Sequence, residues 1–116
     1  MLSRFASEGP RMVWKISISI EQPGIGSELR VEYSTELLIG RAAPADILLE
    51  DSKISRRHCW LRVDTHGTAT VEDAGSAGGT YFNGSQLRGV QPFTETDELR
   101  VGEFTIKLTE PPSHDG

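Results

Sequence analysis

Turn-forming residues interrupt this sequence about every eight to twelve residues, and that spacing leaves no room for a helical body. Pro23-Gly24-Ile25-Gly26-Ser27, Asp64-Thr65-His66-Gly67, Asn83-Gly84, Arg88-Gly89 and Thr94-Glu95-Thr96 are the clearest of these signals. The runs between them alternate. Trp14, Ile16, Ile18 and Ile20 share one face, with Lys15, Ser17 and Ser19 on the other. Leu29, Val31 and Tyr33 alternate with Arg30, Glu32 and Ser34, and Leu37-Leu38-Ile39 forms a third run. Cys59, Leu61 and Val63 alternate with His58, Trp60 and Arg62, and a closing run spans Phe104 to Leu108. A period of two places successive side chains on opposite faces of a strand. Short strands at this spacing predict an all-β sandwich or barrel.

At 116 residues, 36% of them apolar and 12 of them glycine, the chain fits one domain with a core of its own. The boundaries expected are a flexible N-terminal segment over residues 1–11, a folded domain over 12–109 and a linker or tail over 110–116, which contains Pro111-Pro112. The formal net charge of −5 argues against a nucleic-acid binder, which needs a basic face. Arg41, Lys53, Arg56, Arg57 and Arg62 nevertheless cluster in one region of the sequence, a pattern that suits a small anionic ligand. No apolar run reaches membrane-spanning length, and the first residues lack the apolar core of a signal peptide. The single cysteine, Cys59, has no internal partner for a disulfide and fits a reducing compartment. The expectation is a cytoplasmic protein.

Three loops carry the chemistry. The first opens with Gly40-Arg41, the second ends in Ser55-Arg56-Arg57-His58, and the third is the run from Asp73 to Gly84. Arginines, small hydroxyl residues and glycines gathered at one end of a strand scaffold supply the guanidinium, O–H and N–H donors that an anion needs. Each residue also has a plainer reading. Arg41 can pair with Asp46 or Glu50, Ser55 can cap a local turn, and Arg57 can simply be solvated.

Gly-Arg at a strand end, Ser-Arg-x-His about fourteen residues later, then Asp-x-Gly-Ser and Gly-Thr-x-x-Asn-Gly resemble the forkhead-associated domain over about Leu37 to Leu108. The resemblance implies a sandwich of about eleven strands with the binding loops at one end, and recognition of phosphothreonine in short peptides. By it, Arg41 is the main phosphate contact, Ser55 donates its hydroxyl to phosphate, and Arg56 touches phosphate or the peptide backbone. His58, with Gly40, Gly79, Thr80 and Asn83, is structural. The third loop departs from the family pattern. Ala77 and Gly78 stand where the family commonly shows Ser or Thr and then Asn, whose amide clamps the peptide backbone. Ser76 and the N–H groups of Gly78 and Gly79 are the candidates to compensate as an anion nest.

The expected function is therefore a phosphothreonine-peptide-binding regulatory module in Ser/Thr-kinase signalling, part of a larger protein, whose ligand is a phosphorylated protein or peptide in trans or in the same chain. The alternative is the same fold used as a phospho-independent assembly or dimerisation scaffold, because the third loop has lost its clamp. No enzyme is expected. Ser55 and His58 lack the nucleophile-elbow context of a hydrolase, and the glycine-rich run lacks the lysine and following helix of a nucleotide loop. His58 and Cys59 are adjacent, so on a strand they point apart and make a poor metal pair. No cofactor or metal is expected.

Overall fold

The computed structural model describes residues 13–114, so the expected flexible segment over 1–11 lies outside the described residues. Eleven strands form two sheets and no helix occurs among the described residues, as the turn spacing and the family resemblance implied. The strands are β1 Trp14–Gln22, β2 Gly26–Ser34, β3 Glu36–Gly40, β4 Ile47–Leu48, β5 Cys59–Val63, β6 Ala69–Asp73, β7 Thr80–Phe82, β8 Ser85–Gln86, β9 Val90–Pro92, β10 Leu99–Val101 and β11 Phe104–Leu108. One sheet runs β2-β1-β11-β10-β7-β8 and the other β4-β3-β5-β6-β9. All pairings in the two sheets between named strands for which a register is defined are antiparallel, except β3 with β4, where Ile39 lies beside Ile47. Pro92 closes an edge strand, where a missing N–H costs no ladder bond.

The core lies between the sheets. Ile16, Ile18 and Ile20 of β1, Leu99 and Val101 of β10, and Ile106 of β11 meet Leu37 and Ile39 of β3, Cys59 and Leu61 of β5, and Val71 of β6, all buried. Ile54, in the loop before β5, is buried with them and anchors that loop to the core. Burial pushes the Cys59 thiol up to about 12, so it serves as a small apolar side chain.

Two features depart from what the alternation suggests. In β2 the apolar residues face solvent, with Leu29 74%, Val31 48% and Tyr33 64% exposed. Register is the cause. Pairing Ile18 with Arg30 and Ser17 with Val31 puts the charged residues of β2 on the side of the β1 isoleucines and the apolar ones on the outer face. Arg30 and Glu32 lie there half-buried, joined at 2.8 Å. The second feature concerns the stretch expected to be a tail. Ser113 bridges to Lys15, Glu110 accepts from the Ser17 hydroxyl at 3.0 Å, and His114 meets the Trp14 ring edge-on at 4.6 Å. No helix among the described residues is long and apolar enough to cross a membrane.

The two kinds of apolar residue should respond differently to substitution. Ile18→Ala is expected to cost about 2–5 kcal/mol in urea unfolding, through lost transfer energy and the cavity left behind. Val31→Thr, at the exposed position, is expected to change stability by no more than about 0.5 kcal/mol.

Candidate functional site

The loop between β3 and β4 and the loop before β5 touch backbone to backbone. The Arg41 N–H donates to the Ser55 carbonyl at 3.0 Å, and a Cβ added at Gly40 would overlap the carbonyl oxygen of Arg56 and stand 2.7 Å from its carbon. Only glycine permits that approach. The Arg41 side chain then turns back over the second loop, its Nε donating to the Ile54 carbonyl at 2.8 Å. Of the five N–H donors of the guanidinium, only that one is engaged among the described residues, and no carboxylate lies within ion-pair distance. Asp46, the alternative partner, instead accepts from the Leu38 N–H at 2.8 Å.

The third loop is tied by Asp73. One of its carboxylate oxygens accepts from the Ser76 hydroxyl at 2.6 Å and the Thr80 hydroxyl at 2.7 Å; the other accepts the N–H groups of Gly75 and Ser76, each at 2.9 Å. Burial by itself would raise the Asp73 pKa, but these four bonds outweigh it and hold the carboxyl below its ordinary range. Gly75 and Gly79 take the left-handed backbone conformation the tight loop requires, with φ of 87° and 82°.

His58 joins the second and third loops. Buried to 1% exposure, its Nδ1 accepts from the Ser55 N–H at 3.1 Å and its Nε2 lies 2.9 Å from the Gly79 carbonyl. A carbonyl only accepts, so the proton sits on Nε2. The second tie is direct: the Ala77 N–H donates to Ser55 Oγ at 2.9 Å. That bond uses a lone pair of the Ser55 oxygen and leaves its O–H available to donate outward.

The structure thus brings Arg41, Ser55, Ala77 and Gly78 to one end of the sandwich. Arg56 is exposed beside them without a hydrogen bond or ion pair among the described residues. Ser76 is not available as a compensating donor, because its hydroxyl donates to Asp73 and accepts from Gly79 N–H at 2.9 Å. The same bond removes the Gly79 N–H from a nest, whereas the Gly78 N–H has no partner among the described residues. Thr80 is fully buried in the Asp73 knot, and Asn83, at φ 51°, makes the two-residue turn with Gly84 between β7 and β8 while its amide bonds Asp97 and the Glu98 N–H. Arg57 lies over Trp60 at 5.8 Å. Arg62 lies over the same ring at 4.6 Å and pairs with Glu36 and Glu72, so it belongs to the sheet face and not to the loops.

A cleft of about 560 Å³ adjoins the loops, lined among others by Lys53, Gly78, Gly79, Tyr81, Arg100 and Glu103. Sequence reasoning missed Tyr81 and Arg100 as site residues. The signal was present in the alternation, because Arg100 sits between the buried Leu99 and Val101 and must point outward. No group of His, Cys, Asp or Glu among the described residues is arranged to hold a metal.

The family model described as FHA domain matches residues 37–102, which hold all three loops. The chain belongs to the FHA domain family. It is 34% identical over 84 residues to the oxoglutarate dehydrogenase inhibitor of Corynebacterium glutamicum, covering 72% of this chain and 57% of that protein. It is 35% identical over 94 residues to the glycogen accumulation regulator GarA of Mycolicibacterium smegmatis, covering 80% of this chain and 58% of that one. The chain therefore spans somewhat over half the length of these curated relatives. A solved domain studied for phosphothreonine-dependent FHA domain interactions superposes with a TM-score of 0.67 at 25% identity, over 79% of this chain and 94% of that chain.

Two outcomes follow for the FHA loops. Gly40→Ala should separate the first two loops and lower the thermal midpoint, while Gly78→Ala, whose Cβ would come no nearer than 3.9 Å to the Lys53 carbonyl oxygen, should leave it unchanged. Asp73 carries a lowered pKa, so its contribution to stability is complete above the ordinary carboxylate value of about 3.9 and is lost as pH falls through its folded value. Asp73→Asn should therefore lower stability near neutrality and flatten its fall below about pH 4, as measured by urea unfolding from about pH 7 downward.

Proposed function

We propose that this FHA domain is a regulatory module that binds phosphothreonine peptides in Ser/Thr-kinase signalling, without catalysis and in the cytoplasm. The observation that carries the reading is the Arg41 guanidinium, held by Ile54 through Nε alone, beside a Ser55 hydroxyl whose proton is free to donate. A phosphate of about −1.5 to −2 charges with three acceptor oxygens matches those donors, and the Gly78 N–H adds another. The cleft beside Gly78 and Tyr81 has room for peptide side chains next to the phosphothreonine. The partner is a protein or peptide phosphorylated on threonine, in trans or in the same chain. The relatives' regulatory names and the phosphothreonine-dependent interactions of the solved domain support this assignment.

A second reading, a phospho-independent assembly scaffold, draws on one observation: no side-chain amide stands at position 78 to clamp a peptide backbone. The backbone there can accept one, since Gly78 lies outside the left-handed region and its surroundings are open.

A fluorescence titration with phosphothreonine, phosphoserine and unmodified versions of one degenerate peptide library separates the readings. Selective binding of the phosphothreonine form is expected, weakened roughly 10- to 150-fold by Arg41→Ala through loss of charge-assisted bonds. Gly78→Asn should tighten binding roughly 2- to 10-fold. Affinity should fall between about pH 7 and about pH 5, because the phosphate takes up its second proton near pH 6 and loses charge. Equal binding of unmodified peptide, indifferent to Arg41→Ala, would favour the scaffold.

A further inference from the structure

An exposed edge strand is a template for another strand, and proteins blunt such edges by keeping them short or by placing charge or proline on them. Three of the four sheet edges here are short: β4 and β8 have two residues each and β9 has three. The fourth, β2, has nine, contains neither lysine nor proline, and has no strand on its outer side among the described residues. Its outer face carries Leu29, Val31 and Tyr33, all exposed, on the face shared with Lys15, Ser17 and Ser19 of β1. Its other face carries Glu28, Arg30 and Glu32 in alternating sign.

We propose that β2 pairs antiparallel with β2 of a second copy of this chain, about a two-fold axis through Val31. In that register Val31 faces Val31, Leu29 faces Tyr33 twice, and Arg30 faces Glu32 twice. Every apolar side chain of the stripe meets an apolar one, and the ionic pairs are of opposite sign. Centring the axis one residue earlier, on Arg30, sets Arg30 against Arg30 and Glu28 against Glu32, which like-charge repulsion disfavours. The sequence is thus self-complementary in one register, as a two-fold interface between identical chains requires. The charges that would ward off a foreign strand become the element that selects this one.

The contact leaves the binding loops open. β1, β11 and β10 separate β2 from β7, whose preceding loop holds Ala77 and Gly78, so each copy keeps its site. The dimer stands whether or not that site takes phosphothreonine.

Sedimentation of the full chain over a wide concentration range tests the pairing. A rise from the mass of one chain to that of two is expected for the natural sequence. Val31→Lys should remain a monomer with an unchanged thermal midpoint, since the position is exposed in the single chain. Arg30→Glu and Glu32→Arg should each remain monomeric, and the double reversal Arg30→Glu with Glu32→Arg should recover the dimer. A natural sequence that stays monomeric throughout would overturn the proposal. So would a dimer that survives Glu32→Arg, or one that forms only after residues 1–12 are removed, which would mean that the chain's own N-terminal segment occupies the edge.

Discussion

The loop end that holds the proposed site depends on one buried imidazole. His58 reaches Ser55 with one ring nitrogen and Gly79 with the other, so it fixes the separation of two loops that are more than twenty residues apart in sequence. A ring that accepts at one end and donates at the other has a fixed tautomer and orientation. The loops it joins inherit that rigidity. Gly40 completes the arrangement from the other side by letting the first loop rest against the Arg56 carbonyl. Arg41 and Ser55 are therefore positioned by groups that do not themselves face a ligand, which keeps the ordering cost low when an anion arrives.

The third loop obeys the same economy of partners. Asp73 takes four hydrogen bonds and in doing so consumes the Ser76 and Thr80 hydroxyls. What remains pointing outward is backbone: the Gly78 N–H and the space above it. The proposed site is thus strong in charge at Arg41 and Arg56 and sparse in side-chain amides, a balance that suits a phosphate more than the peptide that carries it.

Much of this was legible in the residues, for identifiable reasons. Strand periodicity located β1, β5 and β11 because one face of each is buried and selection by water is strict there. The order of Gly-Arg, Ser-Arg-x-His and Gly-Thr-x-x-Asn-Gly located the loops. Register was not legible. The alternation of β2 reveals a strand but not which face turns inward, and that depends on its partner residues in β1. For the same reason Arg62 read as a member of the basic cluster, although cross-strand neighbours Glu36 and Glu72 claim it. Ser76 looked like a spare donor because sequence alone does not show that Asp73 reaches back for it.

The missing amide at position 78 and the outward-facing apolar stripe of β2 bear on each other. On the proposed function, a site lacking the clamp at position 78 holds each ligand with fewer bonds, whereas the proposed pairing through β2 presents two such sites on one body. Linked sites convert a second binding event into an intramolecular one, with an effective concentration set by the distance they span. Weak individual sites gain most from this, because a single phosphate then dissociates quickly while a doubly phosphorylated partner is held. Under the two proposals together, the loss at Gly78 and the self-complementary edge at Val31 are parts of one arrangement, which favours ligands that carry phosphothreonine more than once.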